Sequence, residues 1–138
     1  MGAKEELQEK VMEMETLRVQ SGAIQQQYLV VMNTLQELTS AVQALESVDK
    51  LENKSEILVS LGGGAFINAS LGDTSNVVLN LGANVMAEKK REDAIKVLDT
   101  QINQLKDAQN KLENALNTIE LRFNQLTFEM QSLLQAQK

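Results

Sequence analysis

The chain has 138 residues, with 13 Lys+Arg against 19 Asp+Glu, a net charge of −6, and no His, Cys, Pro or Trp. These absences exclude a Cys/His metal site, a nucleophile activated by histidine and a disulfide frame, and no cofactor is expected; the acidic balance argues against nucleic acid or an anionic membrane as partner. No apolar run approaches the roughly 18 residues that would cross a bilayer, and the opening Met-Gly-Ala-Lys-Glu-Glu lacks the apolar core of a signal peptide, so a cytoplasmic protein is expected.

The first element, over residues 1–52, reads as one long helix. Proline averages about 5 % of a compact domain, and its absence here favours helices without interruption. Steps of four and three from Ala3 pass through Leu7, Lys10, Met14, Leu17, Ser21, Ile24, Tyr28, Val31, Leu35, Leu38, Val42 and Leu45. Only Lys10 and Ser21 break this seam, which has the heptad period of a coiled coil. At 1.5 Å per residue such a helix is about 65 Å long. Gly22 inside it costs about 0.5–1 kcal/mol relative to Ala.

The centre, 53–90, changes period from seven to two. In Glu56–Leu61 the residues Ile57, Val59 and Leu61 share a face; in Ala65–Leu71, Ile67, Ala69 and Leu71 do; in Val77–Leu81, Val77, Leu79 and Leu81 do. Gly62-Gly63-Gly64, Gly72 to Asn76 and Gly82-Ala83-Asn84 punctuate these runs, and Val85–Lys90 follows. The pattern predicts four short strands in two hairpins. The triple glycine is not a phosphate loop, because no Lys-Ser/Thr follows Gly64 and Phe66-Ile67 continues a strand.

The last element, 91–138, repeats the heptad seam through Ile95, Leu98, Ile102, Leu105, Gln109, Leu112, Leu116, Ile119, Phe123, Leu126, Met130, Leu133 and Gln137. Matched seams predict an antiparallel coiled coil within one chain, the alternative being two separate helices that join a larger bundle; Lys10, Ser21 and Gln109 interrupt the seams as polar residues that could specify register but are more often merely tolerated, and no function is assigned to them. The two helices use their apolar stripes on each other, which leaves the strand face without cover. A few short strands with a bare face are not independently stable, and free edges invite pairing. Assembly with other chains through Ile57, Val59, Leu61, Ile67, Leu71, Val77, Leu79 and Leu81 is therefore expected, as a shared barrel or sandwich. The fold class is α+β: a long antiparallel two-helix coiled coil with two central β-hairpins that complete a β-barrel with other subunits.

Both termini meet at the far end of the coiled coil, where apolar residues exceed what a two-helix seam needs. Val11 and Met12 lie beside the first seam, Phe128 and Leu134 beside the second, and Met1, Met12, Met14 and Met130 gather there. Methionine is flexible and polarizable and suits promiscuous binding. A tip built from Leu7, Val11, Met12, Met14, Phe128, Met130, Leu133 and Leu134 is expected to hold exposed apolar segments of other proteins.

Two equal heptad helices flanking two small hairpins resemble a prefoldin subunit of the alpha class, archaeal type. The more specific likeness lies in Glu56-Ile-Leu-Val-Ser-Leu-Gly-Gly-Gly-Ala-Phe-Ile and in Val77-Val-Leu-Asn-Leu-Gly-Ala-Asn-Val-Met-Ala-Glu-Lys89. The beta class would have one hairpin. The chain departs from the family pattern at Ser60, near which many members carry proline. The resemblance implies a hexamer of two alpha-class and four beta-class prefoldin subunits. It also implies an ATP-independent holding chaperone that captures unfolded client proteins and passes them to a group II chaperonin. A structural protein forming homo-oligomers or filaments through the same strands is the competing class. Catalysis is not expected: Glu5, Glu6, Glu9 and Glu13 have the distribution of a solvated helix face rather than an acid/base pair.

Overall fold

The computed structural model describes residues 2–51 and 55–136. Met1, the seam position Gln137 and the expected helix–hairpin boundary at 52/53 lie outside these. The order is α1 (Gly2–Val48), β1 (Glu56–Gly62), β2 (Ala65–Ser70), β3 (Asn76–Asn80), β4 (Met86–Lys90) and α2 (Arg91–Ala136). The chain divides into two compact units, one of residues 1–35 with 105–138 and one of residues 36–104.

In the first unit, α1 and α2 run antiparallel. Every seam position from Ala3 to Leu35 and from Leu105 to Leu133 is buried or half-buried, while most residues between them are exposed. Leu126 is fully buried. Polar contacts across the pair fix the alignment, with partners descending α2 as they ascend α1. Lys10 Nζ donates to Glu129 Oε2 at 2.5 Å. Arg122 donates through Nε and Nη2 to the two carboxylate oxygens of Glu13, at 2.7 and 3.0 Å. Tyr28 donates to Glu113 at 2.9 Å, and Gln109 Nε2 to Met32 Sδ at 2.8 Å. Lys10 and Gln109, which break the apolar seam, are thus used in cross-helix bonds. Thr16, Thr34, Thr118 and Thr127 donate their hydroxyls to the carbonyl four residues back, so these polar groups are satisfied within their own helix.

In the second unit, Val42 of α1 and Ala94, Leu98 and Ile102 of α2 are the buried apolar side chains. Glu92 and Asp93 in the first turn of α2 complement the positive end of its dipole. Arg91 ties three segments together: Nη1 donates to the Thr74 carbonyl at 3.1 Å and Nη2 to Asp49 at 2.5 Å, with Thr74 Oγ1 at 3.3 Å from Nη1. The strands form two separate two-stranded antiparallel sheets, β1–β2 and β3–β4. Val59 faces Ile67 and Ile57 faces Ala69 in the first; Val77 faces Lys89 and Leu79 faces Ala87 in the second.

Turn chemistry sets the hairpins. Gly62, Gly63 and Gly64 all have positive φ, from 60° to 91°, a region that side chains with a Cβ resist. A bulge between Ser60 and Gly62 leaves Leu61 without a Cα partner on β2. In the second turn Ala83 and Asn84 take φ of 49° and 62°; asparagine tolerates this, alanine less readily. Asp73 accepts from the Ser75 N–H at 2.9 Å and from its hydroxyl at 2.6 Å, an Asx turn between the hairpins. Strand ends differ from the sequence expectation by one residue. Leu71 and Leu81 lie just past β2 and β3, where their N–H groups reach the Ser55 and Val85 carbonyls.

Candidate functional site

Two surfaces emerge, one in each unit. On the hairpins, alternation puts Ile57, Val59, Ile67 and Ala69 on one face of β1–β2, and Val77, Leu79, Ala87 and Lys89 on one face of β3–β4. Of the assembly residues expected from sequence, Ile57, Leu71, Val77 and Leu79 are half-buried, and Val59, Leu61, Ile67 and Leu81 are exposed. The opposite faces are mixed, each with two apolar side chains among polar ones: Glu56, Ser60, Asn68 and Ser70 on the first hairpin, Asn76, Asn80, Glu88 and Lys90 on the second. Leu58 and Phe66 lie together on the first hairpin, with Phe66 62 % exposed; Val78 and Met86 lie together on the second, with Val78 61 % exposed. Reading one parity of each strand missed this second face. The signal was present in the unbroken runs Ile57-Leu58-Val59 and Val77-Val78-Leu79, which suit strands covered on both sides.

At the open end of the helix pair, the eight residues expected to form a tip separate into two groups. Leu7, Met14, Met130 and Leu133 are half-buried in the seam, where they hold the helices together. Val11, Met12, Phe128 and Leu134 are exposed, Met12 by 70 % and Phe128 by 71 %. Val19 and Leu121, each one heptad from Met12 and Phe128, are exposed to a similar degree. These four occupy the heptad position farthest from the seam, so each helix bears an outward apolar row. The spacing of seven was the signal for Val19; Leu121 stands off the seam in the sequence itself.

Charge frames this end. Hydrogen bonding from Arg122 holds the Glu13 carboxyl below its ordinary value against the opposing effect of burial, with lesser help from the positive charges of Arg122 and Lys10. The same hydrogen bond raises Arg122. Beside this pair an open cleft of about 680 Å³ runs along the seam, lined by Leu17, Ser21, Gly22, Leu116, Ile119 and Phe123 among others. It lies where a serine takes the place of a large seam side chain. Among the described residues no three His, Cys, Asp or Glu side chains cluster as a metal site, and no helix is long and apolar enough to cross a membrane. The chemistry on offer is apolar contact.

Comparison with known proteins agrees with this architecture. The family model described as Prefoldin subunit matches residues 17–136. The prefoldin subunit alpha of Nitrosopumilus maritimus is 25 % identical over 97 % of this chain and 92 % of its own. That of Halorubrum lacusprofundi is 36 % identical over 52 % of this chain, and the match spans about half of that relative, 47 %. Among solved structures, a chain of the filamentous PFD of Methanocaldococcus jannaschii superposes with a TM-score of 0.61 at 24 % identity, covering 91 % of this chain and 98 % of that one.

Proposed function

The chain belongs to the prefoldin family, a family of chaperones rather than enzymes, and on that premise we propose that it is the alpha-class subunit of an ATP-independent holding chaperone. In this reading the hairpins join it to beta-class subunits, two alpha with four beta, and the helix ends capture unfolded proteins in the cytoplasm for delivery to a group II chaperonin.

The observation that carries the reading is the pair of outward apolar rows headed by Met12 and Phe128. Burying one large apolar side chain contributes roughly 1.5–3 kcal/mol. A single tip is therefore a weak holder. Several tips on one client act at raised effective concentration, so together they retain it while each contact still releases alone. Holding and release then need no nucleotide. The test is the double variant Met12→Ser/Phe128→Ser in the assembled complex. It should assemble normally and lose most of its suppression of client aggregation. Undiminished suppression by a correctly assembled variant would overturn the assignment of the tip.

A second reading is self-assembly into homo-oligomers or filaments through the same strands. It draws on the likeness to a chain from a filamentous assembly and on strand faces that do not distinguish a copy from a cousin. Mass measurement of the chain alone, and after co-expression with a beta-class subunit, separates the two.

A further inference from the structure

Near its middle, α1 carries an outward face unlike the rest of the helix pair. From residue 19 to residue 36 the chain has no Asp, Glu, Lys or Arg, whereas the α2 stretch 105–120 carries Lys106, Asp107, Lys111, Glu113 and Glu120. The seam takes Ser21, Ile24, Tyr28 and Val31, all half-buried. On the outer side, two small exposed residues, Gly22 and Ala23, are followed one heptad later by two large exposed ones, Leu29 and Val30. Positions seven apart share one strip of a helix surface, so a small pair and a large pair stand in line. Nothing lies within 4 Å of where a Gly22 side chain would begin. An open groove of about 760 Å³ flanks this strip, with Ala23, Val30, Ala108 and Leu112 in its lining.

We propose that this face packs against the same face of a second copy of the chain, antiparallel, with Leu29-Val30 of each copy seated over Gly22-Ala23 of the other. A two-fold contact requires a patch that complements itself. A large pair one heptad from a small pair does so when the two helices run in opposite directions; a parallel pair in register would set large on large. Charge favours the same occupant. Two chains of net charge −6 repel, and the run from 19 to 36 brings no like charges together. Gln26 and Gln27, close to the two-fold axis, each offer donors and an acceptor, which again suits a copy. The face is about 27 Å long, so the contact is weak alone and gains when copies are already held close. It goes beyond the chaperone reading and does not depend on the hairpins.

The chain has no Cys, so single cysteines report the contact. With the large pair over the small pair, Gln26 lies at the two-fold axis, and Asn33 lies about 21 Å along the helix from its counterpart. In the full chain, and in the full chain carrying Val59→Asp to remove strand assembly, a short bis-maleimide should join Gln26→Cys to a second copy and should not join Asn33→Cys. Adding Val30→Glu to Gln26→Cys should weaken the association by roughly a hundredfold, since symmetry removes the contact twice. Ala23→Glu should act likewise, Val30→Leu should keep the link, and helical circular dichroism checks that each variant folds. Absence of the link at about 1 mM chain would overturn the pairing. Linking at both positions, the mark of a parallel pair, would overturn it too, as would loss of the link in the Val59→Asp chain, which would trace it to the hairpins. Protection of the Gln26→Cys thiol by an unfolded client, with no link between copies, would assign the face to clients instead.

Discussion

The helix pair and the hairpins solve the same problem in opposite ways. In the residue 1–35 and 105–138 unit, a period-seven seam meets its complement on the same chain, and every described seam position is at least half-buried. On the hairpins the period is two, and Leu58, Phe66, Ile67 and Val78 remain exposed. A helix satisfies its own backbone and needs only a partner stripe. A two-stranded sheet leaves half its ladder groups and at least one face unsatisfied. One element is thus closed by intramolecular packing, and the other is an open valence.

The comparison breaks most visibly if the hairpins tolerate charge. Val59→Asp or Leu79→Asp should reduce the complex to smaller species, since an unpaired charge in a closed sheet interface costs several kcal/mol. Helical circular dichroism should stay near wild type, because the seam does not pass through these residues. The reverse result is expected in the helices. Leu126→Ala removes a fully buried side chain and should destabilise by about 2–5 kcal/mol in denaturant titration, with hairpin-mediated mass unchanged under native conditions. The seam also has a place to gain. Ser21→Leu fills part of the cleft beside Leu17, Leu116 and Ile119 and should raise stability by about 1–2 kcal/mol, less than the full burial of a leucine because the cleft is open. A higher melting temperature checks it.

The smallest effect is electrostatic. The Glu13 carboxyl is held below its ordinary 4.5 by Arg122, so the pair stabilises fully above that value and its contribution is lost as pH falls through the lowered one. Glu13→Gln should flatten the acid side of the stability profile slightly and change nothing near neutrality beyond a constant offset. The pair is half-exposed, with side-chain exposures of 40 % and 38 %, and salt should weaken it.

Much of the fold was legible because periodicity is a direct consequence of burial geometry. The heptad seams from Ala3 to Leu45 and from Ile95 to Leu133 reappear residue by residue in the burial pattern. The two hairpins appear within one residue of their expected strand ends. The bulge at Leu61 was not legible, since it depends on how three consecutive positive-φ glycines close the turn. The left-handed Ala83 was hidden for a similar reason, as turn geometry there overrides residue preference. The eight residues expected at the tip divide by burial. Distance from the terminus does not separate Met14 and Met130, which face the partner helix, from Met12 and Phe128, which face outward. Heptad position does.

The most direct test of the account is the solution mass of the purified chain at micromolar concentration, alone and mixed with a beta-class subunit. Open hairpins predict assemblies heavier than the 15.3 kDa of one chain, with a defined mixed complex when the partner is present. A single, stable 15.3 kDa species in both samples would contradict it.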